Sequence, residues 1–96
     1  MNSATHTPGP WVVTPNHAES VEDERLNITV GDQLIAEIHH AWIDWDEYDA
    51  NARLIAAAPA MYEALQATLA YFLRSQQSHA PEVAVITKAL AQAEGR

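Results

Sequence analysis

The sequence predicts a small α+β fold: an antiparallel β-meander followed by two or three helices packed on one face. Three observations carry this. Apolar and polar residues alternate through Leu26-Asn27-Ile28-Thr29-Val30, the period-2 mark of a half-buried strand. Gly31-Asp32, a two-residue hairpin signal, follows at once. From Asp49 onward apolar residues recur instead at steps of three and four, as they do along one side of a helix. The 96 residues suffice for a single domain. Its β part is expected over about 10–40 and its helical part over about 49–94.

His6-Thr7-Pro8-Gly9-Pro10 reads as a loop, because two prolines around a glycine remove amide donors and resist helix and ladder alike. Trp11 to Thr14 reads as a short strand closed by Pro15-Asn16. Residues 16–25 are polar and acidic, an exposed connection. After the alternating strand and its turn, the return strand Gln33 to His39 should place Leu34, Ala36 and Ile38 on one face. Pro59 lacks an amide hydrogen and clashes with a preceding turn. The periodicity is therefore read as a short helix near 50–57, with Asp49 at its start, and a longer one near 59–75 with Pro59 in its first turn. Ser75 to His79 form a polar loop, Pro81 opens a last helix, and Gly95 stops it.

Charge divides along the chain. The formal net charge is -8, with 13 acids against 5 Lys and Arg. Ten of the acids and a single base, Arg25, fall in residues 1–50, so the second half is nearly neutral. This distribution argues against a nucleic-acid polymer or an anionic membrane as the binding surface. There is no cysteine, hence no disulfide framework or thiolate chemistry. The first residues lack the basic start and apolar run of a signal peptide. A location in the cytoplasm follows as the expectation.

No catalytic motif is present, and the expectation is a non-enzymatic protein without cofactor or metal. His39-His40 with the acids downstream is the one conceivable metal cluster, yet adjacent histidines on a strand point to opposite faces. Two segments could bind something. In the first, Trp42, Trp45 and Tyr48 are spaced three apart among Asp44, Asp46, Glu47 and Asp49. They either seal the sheet–helix seam or form a protein-binding patch, aromatic anchors ringed by acids that steer a basic partner. In the second, His6, Thr7 and Trp11 lie on the Pro-Gly-Pro loop, and Asn51 and Arg53 in the expected first turn of a helix, whose free amides favour an anion. These five would make a small anion pocket with Trp11 as stacking wall. By sequence alone, neutralising the acids of Asp46–Asp49 just before it ranks ahead of that pocket as the role of Arg53. The helical part also carries Ala56, Ala57, Ala60, Ala64, Ala67 and Ala70, which suit either close packing within the chain or a flat face for a homo-oligomer.

His6-Thr7-Pro8-Gly9-Pro10-Trp11 and, later, Ala50-Asn51-Ala52-Arg53-Leu54-Ile55-Ala56-Ala57-Ala58-Pro59 resemble a family of small phage and prophage proteins. The resemblance covers about residues 6–73. Relatives continue past the proline with an acid, two leucines and Glu-Ala-Leu. This chain keeps Glu63-Ala64-Leu65 and departs at Ala60-Met61-Tyr62. The resemblance implies a phage accessory protein acting in the host bacterial cytoplasm. Small accessory proteins of this kind often counter bacterial defence, and the resemblance implies first a binding protein that sequesters a nucleotide-like immune signal, with an acidic decoy that blocks a defence protein as the alternative. His6, Thr7, Trp11, Asn51 and Arg53 would serve the first role. Trp42, Asp44, Trp45, Asp46 and Glu47, as an acidic decoy for a basic surface, would serve the second.

Overall fold

A computed structural model describes residues 5–16, 25–39 and 44–96. Three strands, β1 (Val12–Asn16), β2 (Arg25–Val30) and β3 (Gln33–His39), pair antiparallel in the order β1-β2-β3. Three helices follow: α1 (Trp45–Ala56), α2 (Ala58–Arg74) and α3 (Pro81–Ala93). The α+β class and the order of elements are those the periodicities predict.

The β2–β3 turn is closed by Val30 opposite Gln33, with positive φ at Gly31 and none at Asp32. Glycine first with a positive φ is the pattern of a II′ turn, whose twist matches that of the strands it joins. One face of the sheet carries Val13 opposite Ile28 and Ala36, and Leu26 opposite Pro15 and Ile38. Ile28 is 0% exposed at the centre of this face. Helix α1 packs on the sheet chiefly over β2, burying Tyr48 and Ala52, one helical turn apart.

Two expectations for the strands need correction. Pro15 lies inside β1, which is possible because β1 is an edge strand with a free side for a residue that cannot donate. Leu34 does not share a face with Ala36 and Ile38. The pairing shifts between Ile28 and Thr29, so that Ile28 meets Ala36 while Thr29 meets Leu34. Ile35 is the extra residue of a β-bulge, and a one-residue slip moves a side chain to the other face. Leu34 is accordingly 52% exposed.

The helix boundaries also moved. α1 begins at Trp45, several residues earlier than the apolar periodicity suggested, because the acids of its first turn, Asp46 and Glu47, suit the positive end of a helix. Asp44, not Asp49, occupies the N-cap position, and its side chain makes no capping bond. Pro59 is in the first turn of α2, and Pro81 starts α3, as expected. Helices α2 and α3 end alike. At α3, Gly95 takes φ 78° and the Arg96 amide donates to the Ala91 carbonyl at 2.8 Å. At α2, Gln76 takes φ 58° and the Gln77 amide donates to the Phe72 carbonyl at 2.9 Å. Both are six-to-one closures through a left-handed residue.

The chain divides into two compact units, one of Thr7–Pro59 and one of Met1–His6 with Ala60–Arg96. The first is the sheet with α1. The second contains the antiparallel pair α2 and α3, tied at its open end by Tyr62 and Glu94.

Candidate functional site

The segment that begins α1 presents its chemistry to solvent. Asp44, Trp45, Asp46 and Glu47 are all exposed, while Tyr48 is buried against the sheet unit's core. The Tyr48 amide donates to the Asp44 carbonyl at 2.9 Å, which fixes the first turn. The indole of Trp45 meets the Tyr48 ring edge-on, with centroids 5.5 Å apart and planes at 71°. Such a contact is one of the favoured aromatic geometries. Trp45 is therefore held at its base by a buried ring yet remains 43% exposed, with carboxylates on either side in sequence. Trp42, the other tryptophan of the segment, lies outside the described residues.

The second group of residues is arranged differently from the expectation. Arg53 lies in the last turn of α1 and not in the first, and Asn51 precedes it by two residues. The free amides of α1 are at Trp45 and the residues just after it, and the end near Arg53 carries the negative pole of the helix. The anion-binding rationale of a helix start thus does not apply to Arg53. Its guanidinium instead donates to the Asp49 carboxylate one turn back, both side chains being more than half exposed. This is the neutralising role that the neighbouring acids suggested. An exposed pair of this spacing contributes about 0.5 kcal/mol or less.

The Pro-Gly-Pro loop is organised by its own residues. The Trp11 indole N–H donates to the Thr7 carbonyl at 3.0 Å, and the Gly9–Pro10 peptide is cis. A Cβ placed on Gly9 would stand 3.3 Å from Cβ of Pro59, which is buried. The loop motif and the Ala-Ala-Ala-Pro end of the second motif therefore meet, by close packing of glycine on proline. His6 belongs to the helical unit, where its ring meets Tyr62 edge-on at 5.2 Å. Thr7, Trp11, Asn51 and Arg53 belong to the sheet unit.

Two polar groupings were not anticipated. In the helical unit, the Tyr62 hydroxyl donates to Glu94 Oε2 at 2.5 Å, and Arg96 donates to the other oxygen of the same carboxylate. The hydrogen bond to Glu94 raises the Tyr62 pKa. The same bond, then the one from Arg96, lowers that of Glu94. Nothing in the sequence links two residues so far apart except the antiparallel register of α2 and α3. On the second face of the sheet, Arg25 Nη1 lies 3.4 Å from Glu37 Oε2, beside Asn27. Arg25 Nε and Asn27 Oδ1 are buried there without a hydrogen-bond partner. The alternation of β2 and β3 already placed these side chains together, but only register fixes the pairing. Among the described residues no group of three or more His, Cys, Asp or Glu could hold a metal ion. No helix among them is long and apolar enough to cross a membrane.

A family model described as Salmonella phage P22 protein Y8K6 matches the chain over residues 1–96. No curated protein and no solved structure matches it.

Proposed function

The chain belongs to this phage protein family, and on that premise we propose that it is a phage accessory protein that binds a basic surface of a host protein through the start of α1. The observation that carries the reading is Trp45, seated on buried Tyr48 and still exposed among Asp44, Asp46 and Glu47. An aromatic side chain held in place loses little freedom on binding and makes a good anchor. Carboxylates around it raise the rate of encounter with a basic partner and reject acidic ones. The role is one of occupying a target rather than transforming it, and a bacterial defence protein is the target class that fits a phage accessory protein.

The competing reading is sequestration of a nucleotide-like signal by His6, Thr7, Trp11, Asn51 and Arg53. It draws on the loop's rigidity and on Trp11, but it asks a ligand to displace Asp49 from Arg53. One experiment separates the two. The tagged protein and a variant with Asp44→Lys, Asp46→Lys and Glu47→Lys are incubated with host bacterial lysate at low and high salt. A basic protein held by the native chain, lost from the variant and released by salt, supports the acidic surface. The same proteins on both baits would refute it. Mass spectrometry of small molecules released on heating addresses the other reading, which predicts a nucleotide that Arg53→Ala no longer retains.

A further inference from the structure

From α2 and α3 we infer a second binding surface, one that takes another copy of this chain. Helix α2 is apolar around more than half its circumference. Tyr62, Leu65, Leu69 and Phe72 form its half-buried stripe. A second stripe, Met61, Ala64, Thr68 and Tyr71, has the same three-four-three spacing and lies in solvent, with Met61 47% and Tyr71 55% exposed. The Tyr62–Glu94 bond joins the start of α2 to the end of α3, so the two helices run antiparallel. Advancing 100° per residue along each helix, the flank of α3 turned the same way as this second stripe carries Val85 and Ala89 at its middle, with Glu82 and Gln92 at its two ends. Val85 is 69% exposed. The stripe, Val85 and Ala89 thus make one apolar face on one side of the hairpin, bounded on α3 by Glu82 and Gln92.

Three further observations identify the occupant. The first is the thinness of the core: among the described residues of this unit, Ile86 and Leu90 are the only large apolar side chains that are buried. Ala60–Arg96 with Met1–His6 makes a unit close to the roughly 40 residues below which isolated folding ordinarily needs help, and oligomerisation is one form of it. The second is charge. Ala60–Arg96 contains Glu63, Glu82 and Glu94 against Arg74, Lys88 and Arg96, so it is neutral, while Thr7–Pro59 carries the whole excess of acid. Two copies meet without repulsion only through the helices. The third is area. The 17 residues of α2 make a face about 25 Å long, and two helices side by side are about 20 Å wide. Its roughly 500 Å² in projection, increased by side-chain relief, approaches the ~800 Å² per partner of an ordinary stable interface. A symmetric pairing of this face on itself yields a four-helix arrangement.

Sedimentation equilibrium of the full chain at 10–200 μM tests this, beside a Tyr71→Glu, Val85→Glu double variant and a Leu73→Glu control on the other flank. The native chain and Leu73→Glu are expected at twice the 10.6 kDa chain mass, and the double variant at that mass with an unchanged far-ultraviolet dichroism spectrum. A native chain that stays monomeric throughout, or a double variant that still dimerises, overturns the inference. If the double variant unfolds, single cysteines decide, and the absence of native cysteine keeps them clean. Ala64→Cys or Thr68→Cys, at the centre of the stripe, should yield oxidised dimers, and Gln66→Cys should not. Equal cross-linking at all three positions refutes the face.

Discussion

Replacing Ile28 by alanine tests how the sheet unit is built. Ile28 stands opposite Val13 and Ala36 beneath α1, and no other large side chain among the described residues is as fully buried. The substitution removes three carbons, about 2.4 kcal/mol at ~0.8 kcal/mol each. The cavity that remains raises this to about 3–4 kcal/mol. A domain of this length has on the order of 5–14 kcal/mol of stability, so about a fifth or more of it disappears. Ile28→Val, one carbon smaller, is expected to cost about 1 kcal/mol. Leu34→Ala is the decisive comparison. An unbroken strand would turn Leu34 inward with Ala36 and make its loss as severe, whereas the bulge at Ile35 leaves it half in solvent with an expected cost below about 1 kcal/mol. Urea unfolding followed by fluorescence of the three tryptophans, all of which fall within Thr7–Pro59, reads all three variants. Equal losses at Ile28 and Leu34 would refute the bulged register. A loss below about 1.5 kcal/mol in Ile28→Ala would refute the placement of the core.

Three other predictions follow from local geometry. Gln76→Gly should raise stability by about 1 kcal/mol, because Gln76 holds a left-handed conformation that glycine adopts without strain, as Gly95 does at the end of α3; thermal melting measures it, and no gain would count against the closure. Gly9→Ala should lower stability by about 1–2 kcal/mol, since its Cβ would press on the buried ring of Pro59, which has no rotamer to give; an unchanged melting temperature would show that the loop and Pro59 do not touch. The Glu94 carboxyl is held below its usual range, so its contribution is complete above the unfolded value near 4.3 and is lost as pH falls through the lower folded one. Melting temperatures from pH 6 to 3 should therefore fall less steeply in Glu94→Gln than in the native chain, and parallel profiles would contradict the Tyr62–Glu94–Arg96 link.

Much of this fold is legible in the sequence because its strongest signals are local. Gly31-Asp32 marks the hairpin, Pro81 and Gly95 bracket α3, and Pro59 divides the long helical stretch. The start of α1 has no apolar marker, because apolar periodicity begins only where the helix meets the sheet, while its first turn is built of acids suited to the helix pole. A start read several residues late puts Arg53 in a first turn instead of a last, and the argument for an anion pocket rests on that placement. The bulge at Ile35 has no marker, since Gln33-Leu34-Ile35-Ala36 fits either register and only pairing with β2 chooses. The acidic start of α1 was visible as a cluster, but sequence could not say whether Trp45 faced the core or solvent. The answer depends on Tyr48 taking the buried position three residues on.

A sheet of three strands has two open edges, and both here are poor templates for further strands. The β1 edge contains Pro15, which has no amide hydrogen to donate. On the β3 edge the bulge at Ile35 twists the backbone away from a straight ladder. A newly made chain at high concentration meets others at every unprotected edge, and runaway strand addition ends in fibrils. These two interruptions block that route while keeping the residues that pack on α1 in register. A sheet that stops at its own borders leaves any pairing of copies to surfaces other than its strands.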